Sequence, residues 1–538
     1  MALTFPRSSL ALIVGAVLFV SGCTKEHVAV TTYHYDNLRT GWNRHEERLK
    51  PKNVRGPKFG LLYQVSLDDQ VDAQPLIVPR IKITGGPSPG EHEVVYVATE
   101  SNTVYAIDAI SGKVLLSPNF GTPVPAPLGC NNNGPNVGIN GTPVIDREAK
   151  TIYVMVYRLE AGTPAYRLHA LDLGTLTDKV SPVLVSASHN LTSSAPFAFS
   201  ASHQRQRPGL LLANGNVYAG FGSFCDFGSP GVTGGPHSRG WLLGWNARSL
   251  DPLPANQMND LQTTAPNNTP YNRFLASIWM SGFGLASDEA GHLYFVTGNS
   301  DSNYSVPDSI QESVVKMSPD LTTILSYFTP SNQASLDSGD TDYGSGGAML
   351  LPDQPEPTPH LLAAAGKDGN MYVLNRDNLG GYTSGGPNNV VGQASIGGCW
   401  CGQSFFSRHG ARIVSSGGSN VIEWKVQTSP TFSITNEASS PSLPGAQDPG
   451  FFTSVSSHED DDTIIWAVSR PINSSPANIS LFAFDAQPTG GGSTLTQLFS
   501  GVAGTWPNTG GNANIVPVVA NGRVFVASNQ NLAVFGLQ

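Results

Sequence analysis

The side chains best suited to chemistry in this chain stand just ahead of short hydrophobic runs, and they recur. Asp72 and Gln74 precede one run, Asn140 a second, and His203 with Arg205 a third. Trp279, Asp342 with Tyr343, Trp400 with Cys401, Phe451, and Asn512 with Asn514 precede the later ones. Carboxylate, amide, cationic and indole groups brought to one place suit a small-molecule site. Each also has a plain structural reading. Tryptophans pack cores and rims, a histidine in a loop is held by hydrogen bonds, and Asp72 and Asn140 can cap local turns. No Ser-His-Asp set, phosphate loop or His-Glu-x-x-His run is visible, so no catalytic residue is assigned. Asp337, Asp340 and Asp342 offer hard oxygen ligands of the kind a divalent cation takes. An exposed acidic loop gives the same letters.

Something must gather these residues, and residues 93–116 show what. Val94 to Ala98, Val104 to Asp108 and Val114 to Leu116 are short apolar runs separated by turns at Ser101-Asn102 and around Gly112. Such a meander is too small to bury a face alone, so it must stack on copies of itself. Eight copies follow, opening near Asp72, Asn140, His203, Trp279, Asp342, Cys399, Gly450 and Gly511. The last copy ends one strand short. Residues 59–67, FGLLYQVSL, form a strand with no neighbour in sequence. If that strand completes the last copy, no open edge remains between the chain ends. The expectation is an all-β fold, an eight-bladed β-propeller closed by an N-terminal strand in the last blade. The loops that enter the innermost strands should then converge on the axis at one face.

Composition narrows the function. Charged residues make up 13% of the chain and the formal net charge is −10, with no basic stripe, which excludes nucleic acid as a partner. Arg7 is the only charge before an apolar run at residues 10–20, too short to span a bilayer. The run ends Val20-Ser21-Gly22-Cys23, which resembles the lipobox of bacterial lipoproteins and implies lipidation at Cys23. An ordinary signal peptide with Cys23 incidental is the other reading. Thr24 follows Cys23, which favours the outer membrane over retention at the inner one. The expected divisions are a signal peptide at 1–22, a lipidated N-terminus and extended lead at 23–58, and a single propeller at 59–538. Four cysteines remain for an oxidising compartment: Cys130, Cys225, Cys399 and Cys401. Four allow three connectivities, of which Cys130–Cys225 with Cys399–Cys401 is favoured.

The repeats also carry a family likeness. Val95-Tyr96-Val97-Ala98, followed by residues 104–115 ending Ser111-Gly112-Lys113-Val114-Leu115, resembles the quinoprotein propeller repeat. Residues 35–41, 72–76, 138–146 and Gly366-Lys367-Asp368-Gly369 are similar to bacterial proteins with pyrroloquinoline-quinone (PQQ) repeats. The resemblance implies a quinoprotein-like propeller. The docking tryptophan of those repeats is replaced by Leu116, and Cys399-Trp400-Cys401 does not match the vicinal cysteine pair of the quinoprotein alcohol dehydrogenases. No Cys-x-x-Cys-His run is present for a c-type haem. The expected role is therefore a lipid-anchored envelope protein that binds a small molecule, a glycan or an envelope protein. The alternative is a PQQ- and calcium-dependent dehydrogenase for alcohols or sugars.

Overall fold

The structure is a computed structural model. It describes residues 1–2, 27–125, 134–224, 238–259, 261–262, 274–300, 303–445, 449–470, 477–487, 492–507 and 514–538. Cys23, Cys130, Cys225 and Asn512 lie outside the described residues, as does most of the expected signal peptide. No helix among the described residues is long and apolar enough to cross a membrane.

The alternating runs form antiparallel meanders, as half-buried strands require. In the first sheet Leu76–Ile83, Gly90–Ala98, Val104–Asp108 and Val114–Leu116 lie side by side. The innermost strands of the next six sheets are Val144–Asp146, Leu211–Ala213, Ala286–Ser287, Ala348–Leu350, Ser404–Ser407 and Phe452–His458. Several inner hairpins carry the two-residue turn in which both residues have positive φ. Asn214-Gly215 turns at φ 55° and 71°, and Asn521-Gly522 at 54° and 81°.

The last sheet shows how the chain closes. Val518–Ala520 pairs with Arg523–Leu537, and Phe59–Gln70 pairs antiparallel on the far side of that strand, Phe59 opposite Leu537 and Val65 opposite Leu532. Buried clusters tie each sheet to its neighbour around the full circle. Val94 and Val154 join the first sheet to the second, Tyr166 and Phe221 the second to the third, and Tyr218, Tyr294, Tyr372 and Ile413 the third to the sixth. Val414 and Ile465 join the sixth to the seventh, Trp466 and Val526 the seventh to the last, and Phe525 and Ile77 the last to the first. The molecule is a β-propeller.

The lead is more than a spacer, because it runs inside the axis. The inner edge of every innermost strand carries backbone groups that need partners, and the lead supplies them in turn. Val30 exchanges bonds with Ile77 in the first sheet, and Thr31 O accepts from Ile145 N (2.8 Å) in the second. Asn37 reaches Leu212 O (2.9 Å) and Ser287 N (2.8 Å) in the third and fourth. Leu38 O accepts from Leu350 N, Thr40 O from Phe405 N, and Gly41 O from Val455 N. Trp42 and Asn43 pair in parallel with Val455 and Ser456, and Asn43 Nδ2 reaches Val519 O (3.0 Å) in the last sheet. Arg39, fully buried, bonds to Leu285 O, Thr32 Oγ1, Tyr33 O, Asp36 O and Leu210 O. The lead comes in beside Glu93 and Asn521 and leaves beside His458, all at the lower ends of their sheets. It therefore closes the axis from below and leaves the upper end to the loops that enter the sheets.

Candidate ligand site at the upper end of the axis

Two polar assemblies occupy the upper end. The first joins the first three sheets. Asn140 Nδ2 donates to Asp72 Oδ2 (2.8 Å) and to Glu100 Oε1 (2.6 Å), and its Oδ1 accepts from Arg205 Nε (3.2 Å). Gln70 Nε2 also donates to Asp72. Burial pushes the Glu100 carboxyl well above the usual range, and the neighbouring Asp72 adds to it, while Gly138 N and Arg205 oppose the shift. Arg205 supplies a balancing positive charge beside Glu100.

The second assembly joins the fourth to seventh sheets around Lys367. Its Nζ is 2.6 Å from Asp342 Oδ2 and 3.3 Å from Asp340 Oδ1. The same atom lies 5.7 Å from the ring centroid of Trp279 and 5.3 Å from that of Trp400, within cation–π range of both. The Arg207 guanidinium sits 5.4 Å over Trp279. Arg470 donates from Nε to Gly450 O (2.8 Å) and from Nη2 to Trp400 O. Asp342 Oδ1 accepts from Asn299 N (2.9 Å). Glu312 is fully buried beneath, accepts from Tyr343 N (2.5 Å), and has its carboxyl held well above the usual range by burial and then by Asp342. Both indoles are only partly buried and Lys367 is 13% exposed, so the assembly reaches solvent.

The expected site residues therefore separate. Asp72, Asn140 and Arg205 meet in the first assembly, and Trp279, Asp342 and Trp400 in the second. Gln74 instead grips the lead, accepting from His34 N (3.0 Å) and donating to Thr32 O (3.2 Å). His203 Nδ1 is 2.8 Å from Ser200 Oγ within its own loop. The Tyr343 ring packs in the core against Phe328 and Tyr372, and Phe451 is buried between the sixth and seventh sheets. Asn514 is buried beside Gly282. Glu100, Glu312, Lys367 and Arg470 went unnoticed in the sequence for one reason. They belong to connections between second and third strands, which reach the same face as the entering loops. Lys367 lies in the Gly366-Lys367-Asp368-Gly369 run, so a signal was present.

The acids do not build the hard-oxygen cage that calcium takes. Asp337 Oδ1 accepts from Ser300 N (3.1 Å), its Oδ2 from Gln311 Nε2 (3.2 Å), and Asp340 and Asp342 face Lys367. Among the described residues no group of three His, Cys, Asp or Glu stands within reach of one metal ion. The donor set does not fit calcium. Cys399 and Cys401 are joined by a disulfide, buried beside Trp400.

No family model matches the sequence, and a search of curated proteins found no match. The fold has many solved relatives. It is similar to the quinohemoprotein alcohol dehydrogenase ADHIIG of Pseudomonas putida HK5, with TM-score 0.60 and 14% identity over 95% of this chain and 80% of that one. The quinohemoprotein alcohol dehydrogenase of Comamonas testosteroni gives TM-score 0.57 and 13% identity over the same shares. A europium-containing methanol dehydrogenase gives 0.57 and 12% over 95% of this chain and 99% of that one. At these identities the likeness is one of fold alone, that of a β-propeller.

Proposed function

We propose that this chain is a ligand-binding propeller of the bacterial envelope, held to a membrane by lipid at Cys23, whose receptor site is the upper axial mouth framed by Trp279, Trp400, Lys367 and Asp342. One observation carries the reading: two indole faces and one ammonium share a partly exposed mouth, with a carboxylate fixing the ammonium. Indoles offer flat apolar area at low conformational cost, and the charged pair offers hydrogen bonds at its edge. The ligand is thus a small molecule with one flat face, a pyranose ring or a fused aromatic. The lead enters from the lower end, opposite the mouth.

The test is indole fluorescence of the purified full chain titrated with methyl β-D-glucopyranoside and, separately, with PQQ. At least one should quench saturably, and Trp279→Ala with Trp400→Ala should weaken it about tenfold or more, as loss of aromatic anchors does. Failure of both probes to bind would sink the reading. Alcohol-dependent dye reduction that needs both PQQ and calcium would replace it with the dehydrogenase reading.

A further inference from the structure

Beneath the two indoles the axis narrows to a floor built partly by the lead. Trp279 leads down to Phe283 through Met280, Ser281 and Gly282, all at positive φ (41°, 48° and 83°). Backbone of that kind is costly for non-glycine residues and persists only where its surroundings hold it. Phe283 itself is fully buried. A Cβ at Gly347 would lie 1.9 Å from its ring and one at Gly402 2.0 Å, so both positions must be glycine. Tyr33 and His34 of the lead stack at 4.6 Å, and both meet the Phe283 ring edge-on, at 5.1 and 4.9 Å.

Buried polar atoms of the residues gathered at this turn make no hydrogen bond among the described residues: Tyr33 Oη, His34 Nε2, Ser281 Oγ, Gln403 Oε1 and Asn514 Oδ1. Their residues are at least nine-tenths buried. Ser281 adjoins the Phe283 turn, Gln403 follows Gly402, and Asn514 lies beside Gly282. The positive charge of Arg470, which is bonded to Trp400 O, reaches the Tyr33 hydroxyl. Buried polar groups are normally satisfied, so five such atoms gathered at one turn point to a guest.

The set has a chemical bias. His34 Nδ1 is 3.3 Å from Arg39 O, a carbonyl that only accepts, so Nδ1 carries the proton and Nε2 offers a lone pair. Burial drives the His34 pKa down to about 3, so the ring stays neutral. Gln403 Oε1 and Asn514 Oδ1 also accept, and the two hydroxyls do either. A carboxylate would find mostly acceptors here; a molecule bearing several hydroxyls would find partners.

We infer that the N-terminal lead completes the ligand site, Tyr33 and His34 with Gln403 forming a hydrogen-bonding floor below Trp279 and Trp400, and that the ligand class is a saccharide or other ring polyol. The inference rests on the proposed mouth and deepens it. Calorimetric titration of the full chain with methyl β-D-glucopyranoside tests it, with Tyr33→Phe and Trp279→Ala as variants and melting temperature as the fold control. Tyr33→Phe removes a hydroxyl with no partner among the described residues, so melting should be unchanged while affinity falls about five- to tenfold. Affinity unchanged in Tyr33→Phe but lost in Trp279→Ala overturns the floor and leaves the mouth standing. Binding of PQQ but not of the glucoside overturns the polyol class and spares the mouth. Binding of neither probe overturns both.

Discussion

Arg39 offers the sharpest test of the axial lead. Replacing it by Met keeps much of its volume and removes every donor. Leu285 O, Leu210 O, Tyr33 O and Asp36 O then lose a buried partner, and the half-buried Asp36 carboxyl loses the cation beside it. Breaking one side of a buried charged arrangement costs about 3–5 kcal/mol, much of it from groups left behind. Unfolding entropy near the midpoint is about 2.1 cal/mol/K per residue, or about 1.1 kcal/mol/K for 538 residues. A loss of about 4 kcal/mol therefore lowers the melting temperature by about 4 °C. Scanning calorimetry reads the shift, and hydrogen exchange at residues 31–43 reads its location. Arg44→Met is the control. Arg44 pairs with Glu459 at an exposed site, where such pairs contribute about 0–1 kcal/mol, so it should move melting by less than about 1 °C. A shift in Arg39→Met no larger than the control's, with exchange at residues 31–43 unchanged, would refute an axial lead held by this side chain.

Other perturbations have definite outcomes. Gly402→Ala should destabilise by about 1–3 kcal/mol through overpacking on Phe283, and Phe283→Ala in the same chain should recover part of that loss; additive urea midpoints would contradict the contact. Glu100 has its folded pKa raised by burial and by Asp72, so the folded state keeps a proton that the unfolded state releases above about pH 4.3. Stability should fall as pH rises from there toward the folded value, and Glu100→Gln should remove that slope; a difference between the two proteins that does not vary from pH 4.5 to 8 would argue against the pairing. His34 has the opposite sign. Its folded pKa is lowered to about 3, so its contribution is lost as pH falls below about 6.5 toward 3, and His34→Phe should flatten melting curves in that window.

Much of this architecture is legible in local sequence. Two-residue alternation in Val94 to Ala98 and Val104 to Asp108 dictates strands, and Asn214-Gly215 and Asn521-Gly522 dictate tight hairpins, because these signals depend on neighbours a few residues apart. The unpaired run at residues 59–67 likewise announces ring closure, since a lone strand must find an edge. The entering loops Asp72, Asn140, Trp279, Asp342 and Trp400 could be picked out from the phase of the repeat.

Which of those residues share space was settled by packing between sheets. Gln74 turned to the lead and Tyr343 and Phe451 to the core, because side-chain direction follows from packing between sheets and not from order along one. The lead carries no period at residues 33–43. Its shape is set by the inner edges of the sheets around it, each supplying a hydrogen bond to an otherwise irregular backbone. Lys367 gains two indoles and a carboxylate for the same reason: they come from three different sheets, and only closing the circle brings them together.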